Sequence, residues 1–326
     1  MIITRTPLRV SFAGGGTDLA AFYGREPGAV LSTAIDKYIY ITVNPKFDHK
    51  VRASYSVTEM VDHASELQHE LIREALKLVG IDGGIEITSI SDVPSRGTGL
   101  GSSSSYIVGL LNALYAFTGQ LANAERLAAE ASHIEIEICG KPIGKQDQYI
   151  AAYGGLQFIE FNPDETVFTD PIPCARPLKR QLQESLLMLY TGLTRSANDV
   201  LGEQRANTEN NHDTFAVLKR MRDYADALRV QLCAGNLDGF GEMLHEGWML
   251  KRTLAAGISS TAIDDWYERA RRHGAIGGKL LGAGGGGFLL LYAHPDRHDE
   301  ICRALPELRP MPFQLEPQGS KIIFIE

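Results

Sequence analysis

Apolar residues recur along this chain at the periods of both strands and helices, and the two kinds of segment interleave. Ile2 to Ala13 and Val30 to Val43 are rich in β-branched and aromatic residues and predict strands. Gly84 to Ser91 alternates apolar and polar positions, as a half-buried strand does. A charged helix is expected over Ser65 to Leu78. Ile107, Leu110, Leu111 and Leu114 carry the helical period behind a glycine- and serine-rich run, and a further helix is expected over Asn123 to Cys139. Gly154 to Phe161 reads as another strand. From Asn162-Pro-Asp164 to Arg180 the chain is polar and proline-bearing, which predicts a linker. Beyond it come a short buried strand (Leu186 to Tyr190), two or three long helices within Asn198 to Ala255, and a helix over Thr261 to His273. A strand over Phe288 to Ala293, a helix near Asp296 to Leu305 and a closing strand over Lys321 to Ile325 complete the pattern.

The interleaving lacks a regular βαβ repeat, so the expected fold class is α+β. The 326 residues suffice for two domains, expected at 1–180 and 181–326, each with its own core. Basic residues number 32 against 40 acidic ones, a net charge of -8, and no basic run stands out, which argues against a nucleic-acid partner. Apolar runs such as Phe288 to Ala293 are too short to span a bilayer. The opening Met1-Ile-Ile-Thr-Arg-Thr-Pro7 lacks the apolar stretch of a signal peptide. Cys139, Cys174, Cys233 and Cys302 are scattered, without CxxC pairs, and predict free thiols. The expectation is a cytoplasmic protein with no membrane partner; a homo-oligomer is compatible with the sequence.

Composition changes the picture at one residue type. Of 33 glycines, 13 fall in three short clusters: Gly14 to Gly16, Gly97 to Gly101 and Gly277 to Gly287. Concentrated glycine points to loops where backbone approaches something closely. The middle cluster, Gly97-Thr-Gly-Leu-Gly-Ser-Ser-Ser-Ser105, opens directly into the helical pattern. Inward-pointing amides and a helix N-terminus make this a ready anion site, most naturally for nucleotide phosphates. The serines can cap the helix, and one hydroxyl can reach Mg²⁺. No Gly-x-x-x-x-Gly-Lys-[Ser/Thr] run occurs, so this is not a Walker A loop. Gly282, Gly284 and Gly287 match Gly-x-Gly-x-x-Gly but run into a strand, whereas a dinucleotide fingerprint opens a helix.

Three motifs in chain order carry a family resemblance. Thr6-Pro-Leu-Arg-Val-Ser-Phe-Ala-Gly-Gly-Gly-Thr-Asp18, Pro94 to Ser105 and Lys279-Leu-Leu-Gly-Ala-Gly-Gly-Gly-Gly-Phe288 resemble the substrate, phosphate-binding and C-terminal glycine motifs of the GHMP kinases (galactokinase, homoserine kinase, mevalonate kinase, phosphomevalonate kinase). Gly14-Gly-Gly-Thr-Asp18 and Gly144-Lys-Gln-Asp-Gln-Tyr149 look like the sugar-1-kinase branch, in the form found in heptose 7-phosphate kinases. The resemblance implies a ribosomal-protein-S5-like N-terminal domain and a ferredoxin-like C-terminal domain with the site between them. It implies ATP and Mg²⁺ as cofactors and a sugar phosphate as the small-molecule partner. The implied reaction is phosphorylation of the anomeric C1 hydroxyl of D-glycero-D-manno-heptose 7-phosphate. Other sugar 1-kinases (L-fucose, hexose) and a non-catalytic nucleotide- or sugar-binding regulator are the alternatives.

Carried residue by residue, the resemblance makes Asp147 the catalytic carboxylate and places Arg9 near the transferred phosphate. Gly97, Gly99, Leu100, Gly101, Ser102, Ser103 and Ser104 would hold ATP. Gly14, Gly15, Gly16, Thr17 and Asp18 would face the sugar. Gly15-Gly16 replaces a side-chain pair that helps galactokinases hold galactose, making room for a different sugar. Gly284 and Gly285 would floor the cleft. For the metal, Glu135 and Glu137 compete within His133-Ile-Glu-Ile-Glu-Ile-Cys139; on a helix they lie roughly 200° apart, so only one faces the phosphates. The resemblance places a helix here and, by spacing back from Asp147, matches the metal glutamate of galactokinases to Glu135, with Ser103 as the expected serine ligand and Ser102 and Ser104 close behind. Lys145, Arg195 and Lys279 are candidates for the sugar's distal phosphate. His245 and Trp248, at i, i+3 on a long helix, read as core packing.

Overall fold

The computed structural model describes residues 1–94, 97–194 and 197–326. In the first half, strand β1 (Ile2–Ala13), helix α1 (Ala20–Tyr23), the long β2 (Gly28–Pro45), β3 (Val51–Ser54) and β4 (Thr58–Val61) precede α2 (Glu70–Val79) and β5 (Ile85–Ser91). Helices α3 (Ser102–Phe117), α4 (Ala124–Ser132) and α5 (Gln146–Tyr153) follow, then β6 (Leu156–Phe161), β7 (Val167–Pro171) and α6 (Arg176–Ser185). The second half runs β8 (Leu186–Tyr190), α7 (Ala197–Asn210), α8 (His212–Ala234), α9 (Leu237–Lys251) and α10 (Thr261–Arg272). It ends with β9 (Ala275–Leu280), β10 (Phe288–Ala293), α11 (His298–Ala304), β11 (Arg309–Pro310) and β12 (Lys321–Ile325).

Local chemistry sets the helix ends. Asn123, Asn211 and Ser260 accept from backbone amides at the starts of α4, α8 and α10, satisfying donors that have no partner inside the helix. The expected helix over Ser65 to Leu78 begins later, at Glu70, after a 3₁₀ turn over Ala64–Glu66. The expected linker holds β7 and the first part of α6. Paired polar strands and short hairpins such as β3–β4 carry too little apolar period to be read from sequence, and the glycines of β9 hide a strand in the same way.

β2 is the centre of an eight-stranded sheet, pairing with β1, β5 and β6, while α3 packs across β1 and β2. A second sheet, in order β11-β8-β10-β9, is antiparallel throughout and is backed by α9. β12 lies far from that second sheet in pairing: it closes the edge of the first one against β1. A division at residue 180 therefore leaves the last strand with the N-terminal sheet. The core is shared as well. Phe12 of β1 meets Phe240 of α9 edge-on at 5.2 Å, so the two halves are joined by apolar packing rather than by one linker. The four cysteines are free thiols.

α9 lies so close to β9 that a Cβ on Gly277 would stand 1.8 Å from the Gly241 carbonyl oxygen. Gly277→Ala should therefore lower stability by about 1–3 kcal/mol through overpacking. Urea denaturation followed by circular dichroism measures this, and a wild-type midpoint would show that the helix can slide off the sheet at no cost.

Candidate active site

A cleft of about 690 Å³ opens where the two sheets face each other, lined by all three glycine clusters and by α3, α5, α7 and α9. One wall is the loop before α3. Gly99 and Gly101 take left-handed backbone, φ 73° and 76°, which side-chain-bearing residues disfavour. Gly101 caps α3 with no side-chain hydrogen bond, so the first-turn amides of Ser102, Ser103 and Ser104 are not consumed by a cap. Leu100 is buried, and its carbonyl accepts from the Arg9 amide at 3.0 Å, pinning the loop to β1. Gly97, Gly99, Gly101 and the three serines all line the cleft, whereas Leu100 acts from behind it.

One carboxylate sits fully buried beneath this loop. Glu135 Oε1 accepts from Ser103 Oγ at 2.5 Å, and Oε2 accepts from Ser104 Oγ and Gln148 Nε2, each at 2.6 Å. Lys141 Nζ stands 3.6 Å from Oε1 and donates to Ser103 Oγ. Glu135 is delivered by a π-helical turn, His133–Ile138, in which the Cys139 amide reaches back to the Ile134 carbonyl. Glu137 points the other way and pairs with His133 on the surface. Mg²⁺ takes hard oxygen donors and is commonly held by one or two carboxylates plus phosphate oxygens. Glu135 with the cleft-exposed Ser103 hydroxyl fits that demand. Among the described residues no group of three or more His, Cys, Asp or Glu side chains forms a self-sufficient metal cage.

Asp147, in the first turn of α5, faces Arg9 of β1. The pair is bidentate: Arg9 Nε donates to Oδ1 at 2.6 Å and Nη2 to Oδ2 at 2.7 Å, while Nη1 donates to the Gly99 carbonyl. A Cβ on Gly101 would lie 3.2 Å from both Arg9 Cγ and Asp147 Oδ2, so the carboxylate stands directly against the phosphate loop. Asp18 is buried nearby, accepting from the Gly16 amide at 2.8 Å and the Gln146 amide at 3.3 Å. Burial pushes its carboxyl up, the negative charge of Asp147 adds to this, and the Gly16 hydrogen bond opposes it.

The remaining expected residues divide. Gly15, Gly16 and Lys279 line the cleft. Gly14 and Thr17 hold the turn instead: Thr17 Oγ1 donates to the Gly14 and Ala29 carbonyls, and a Gly14 Cβ would stand 1.9 Å from the Ala29 oxygen. Gly284 and Gly285 pack on Ile258, outside the cleft lining. Lys145 is turned to Glu165 and the Tyr23 ring. Arg195 lies outside the described residues. Trp248 is buried, and His245 bonds the Tyr267 hydroxyl, consistent with packing.

Lys251 escaped the sequence reading. It is buried, lines the cleft, and donates to the Gly282 carbonyl. A signal existed: Leu237, Phe240, Gly241, Leu244, Trp248 and Lys251 are the buried positions of α9, so a lysine occupies the apolar stripe. Ser11 Oγ, also in the cleft, has no hydrogen-bond partner among the described residues.

What unites these groups is a glycine loop with free first-turn amides and a buried carboxylate beside a clamped one, an arrangement suited to phosphoryl transfer. Residues 64–155 match the GHMP kinases N terminal domain and residues 228–309 the GHMP kinases C terminal domain. The chain is similar to a D-glycero-alpha-D-manno-heptose 7-phosphate kinase of Campylobacter jejuni, 27% identical over 325 residues covering 93% of each chain. It is also similar to a galactokinase of Pyrococcus furiosus, 26% identical, covering 93% of this chain and 92% of that one. In fold it resembles the crystal structure of a D-glycero-D-manno-heptose 1-phosphate kinase from Bacteroides thetaiotaomicron, with a TM-score of 0.83, 24% identity and full coverage of both chains. The chain belongs to the GHMP kinases and has their two-domain α+β fold. Among the described residues no helix is long and apolar enough to cross a membrane.

Burial, with the charge of Arg9 adding to it, pushes the Lys251 ammonium down to about 8 from 10.5. Between those values the folded chain holds fewer protons than the unfolded one, so this residue's contribution raises stability as pH climbs; below pH 8 its penalty is fully present. Lys251→Met should therefore melt above wild type at pH 7, and the gap should shrink toward pH 10. A gap that ignores pH would contradict the burial of a charged Lys251.

Proposed function

We propose that this kinase transfers the γ-phosphoryl group of ATP to the anomeric C1 hydroxyl of D-glycero-D-manno-heptose 7-phosphate, giving the 1,7-bisphosphate. The bidentate Arg9–Asp147 pair against the phosphate loop carries this reading. A kinase of this type has little covalent chemistry to perform and works by positioning and by charge stabilisation. The amides of residues 97–104 cradle the triphosphate. Glu135 and Ser103 would hold Mg²⁺, which screens the phosphate oxygens when bound. The C1 hydroxyl sits against Asp147 and gives its proton to that carboxylate as O1 attacks the γ-phosphorus; the bond to the bridging oxygen breaks and ADP leaves. Arg9 fixes the carboxylate's orientation and offers positive charge to the equatorial oxygens. The ready ionisation of an anomeric hydroxyl suits a carboxylate acceptor.

Asp18 and the small Gly15-Gly16 wall receive the sugar. A Cβ at Gly16 would come within 2.2 Å of Gln204 Nε2, so the wall is lined by Gln204 where a side chain could otherwise stand. The likeness to the Campylobacter jejuni heptose 7-phosphate kinase supports the choice of sugar. The same reading takes the enzyme to work in the cytoplasm, with its product a precursor for nucleotide-activated heptose.

Asp147→Asn should lower kcat by at least about 10²-fold with the acceptor KM little changed, because it removes the proton acceptor. Unchanged turnover would refute the role. Glu135→Gln should raise the Mg²⁺ concentration giving half-maximal rate; titration of the rate with Mg²⁺ at fixed ATP measures it, and an unshifted midpoint would remove Glu135 from the metal site.

A further inference from the structure

Arg9, Lys251 and Lys279 all line the cleft, and their protein partners do not balance them. Arg9 is committed, with all three of its nitrogens bonded to Asp147 or Gly99. Lys251 and Lys279 are not. Each is buried and lines the cleft, and each donates to one main-chain oxygen: Lys251 to Gly282, Lys279 to Phe12 at 3.1 Å. Neither forms an ion pair with a carboxylate among the described residues. An ammonium carries three donors, so two on each lysine remain for something in the cleft. Two other lysines of this region differ: Lys141 is held by Glu135 and Glu70, and Lys145 by Glu165.

Unpaired buried charge is costly, and burial pushes both ammonium groups down. A chain that keeps two such lysines side by side gains from them only when an anion arrives. Lys279 donates to the Phe12 carbonyl of β1, two residues before the Gly14–Gly16 turn that leads to Asp18, whereas Lys251 donates to the Gly282 carbonyl, which lies against Gly99. Lys279 thus stands toward the Asp18 side of the cleft and Lys251 between it and the glycine loop before α3.

We propose that Lys251 and Lys279 form the subsite for a phosphate monoester carried by the acceptor substrate, and so select phosphorylated over free sugars. This rests on the sugar-phosphate reading above and names the residues that enforce it. Four free N–H donors from two chain segments suit a tetrahedral dianion, which accepts from several directions at once.

The test compares wild type, Lys251→Met, Lys279→Met and Lys251→Arg with ATP, Mg²⁺ and either D-glycero-D-manno-heptose 7-phosphate or the unphosphorylated heptose. Each methionine variant should raise KM for the sugar phosphate by about 30-fold or more, keep kcat within about 3-fold, and leave kcat/KM for the free sugar within about 3-fold. Lys251→Arg should recover most of the loss. Removal of an unpaired buried charge should leave both methionine variants folded and melting above wild type. Equal falls in kcat for both acceptors, with KM unmoved, would overturn the proposal and assign the lysines to the transferred phosphoryl group. Should wild type turn over only free sugars, the proposed substrate fails, and the subsite is then read separately by titrating inorganic phosphate into the ADP-loaded enzyme. Phosphate binding lost in the methionine variants supports the subsite; binding that they leave unchanged, or no binding to wild type, overturns it.

Discussion

The site depends on two loops meeting with no side chain between them. A Cβ on Gly99 would stand 2.4 Å from the Leu281 oxygen, one on Gly282 2.4 Å from Gly99 Cα, and one on Gly287 2.4 Å from the Thr98 oxygen. At these separations backbone touches backbone, and nothing larger than hydrogen fits. The phosphate loop is thereby seated on the second sheet while the Leu100 carbonyl ties it to β1. The same contact that closes the cleft floor also presents the Gly282 carbonyl to Lys251. Packing between the halves, from Phe12 on Phe240 outward, keeps the two loops in register.

Around that contact the polar groups fall into two sets. Glu135, Ser103, Ser104 and Lys141 make a nearly neutral cluster beneath the loop, fully paired before any ligand arrives. Arg9, Asp147 and Asp18, with Lys251 and Lys279, make the other, in which each lysine donates to a main-chain oxygen and has no carboxylate partner among the described residues. In the proposed reaction the paired cluster serves the nucleotide end, and the under-compensated lysines serve the acceptor end, where an anion would supply what the protein withholds.

The placement of many of these residues was legible in the sequence because glycine loops and helix openings are written locally. Gly97 to Ser105 opens a helix whichever way the rest folds, and the angular argument on a helix separated Glu135 from Glu137; the π-turn widens the spacing without changing which one faces in. Asp147 and Arg9 came with their motifs. Other residues depend on packing that no local pattern records. Lys251 reaches the cleft only because α9 packs against β1 and β9, although its place on a buried stripe was a usable sign. Lys145 sits inside a motif yet turns to Glu165, and Thr17 and Gly14 serve the turn that carries Asp18. β12 returns to β1 across the whole chain, a pairing that its five residues do not announce.

The central claim is that this cleft joins a phosphoryl group from ATP to an anomeric oxygen. It is tested most directly by ³¹P NMR of the product formed from ATP, Mg²⁺ and D-glycero-D-manno-heptose 7-phosphate. The account predicts a new phosphate resonance coupled to the anomeric proton beside the retained 7-phosphate signal, with ADP released in equal amount. A new phosphate coupled to any other carbon's proton, or ADP formed without a sugar-linked phosphate, would contradict it.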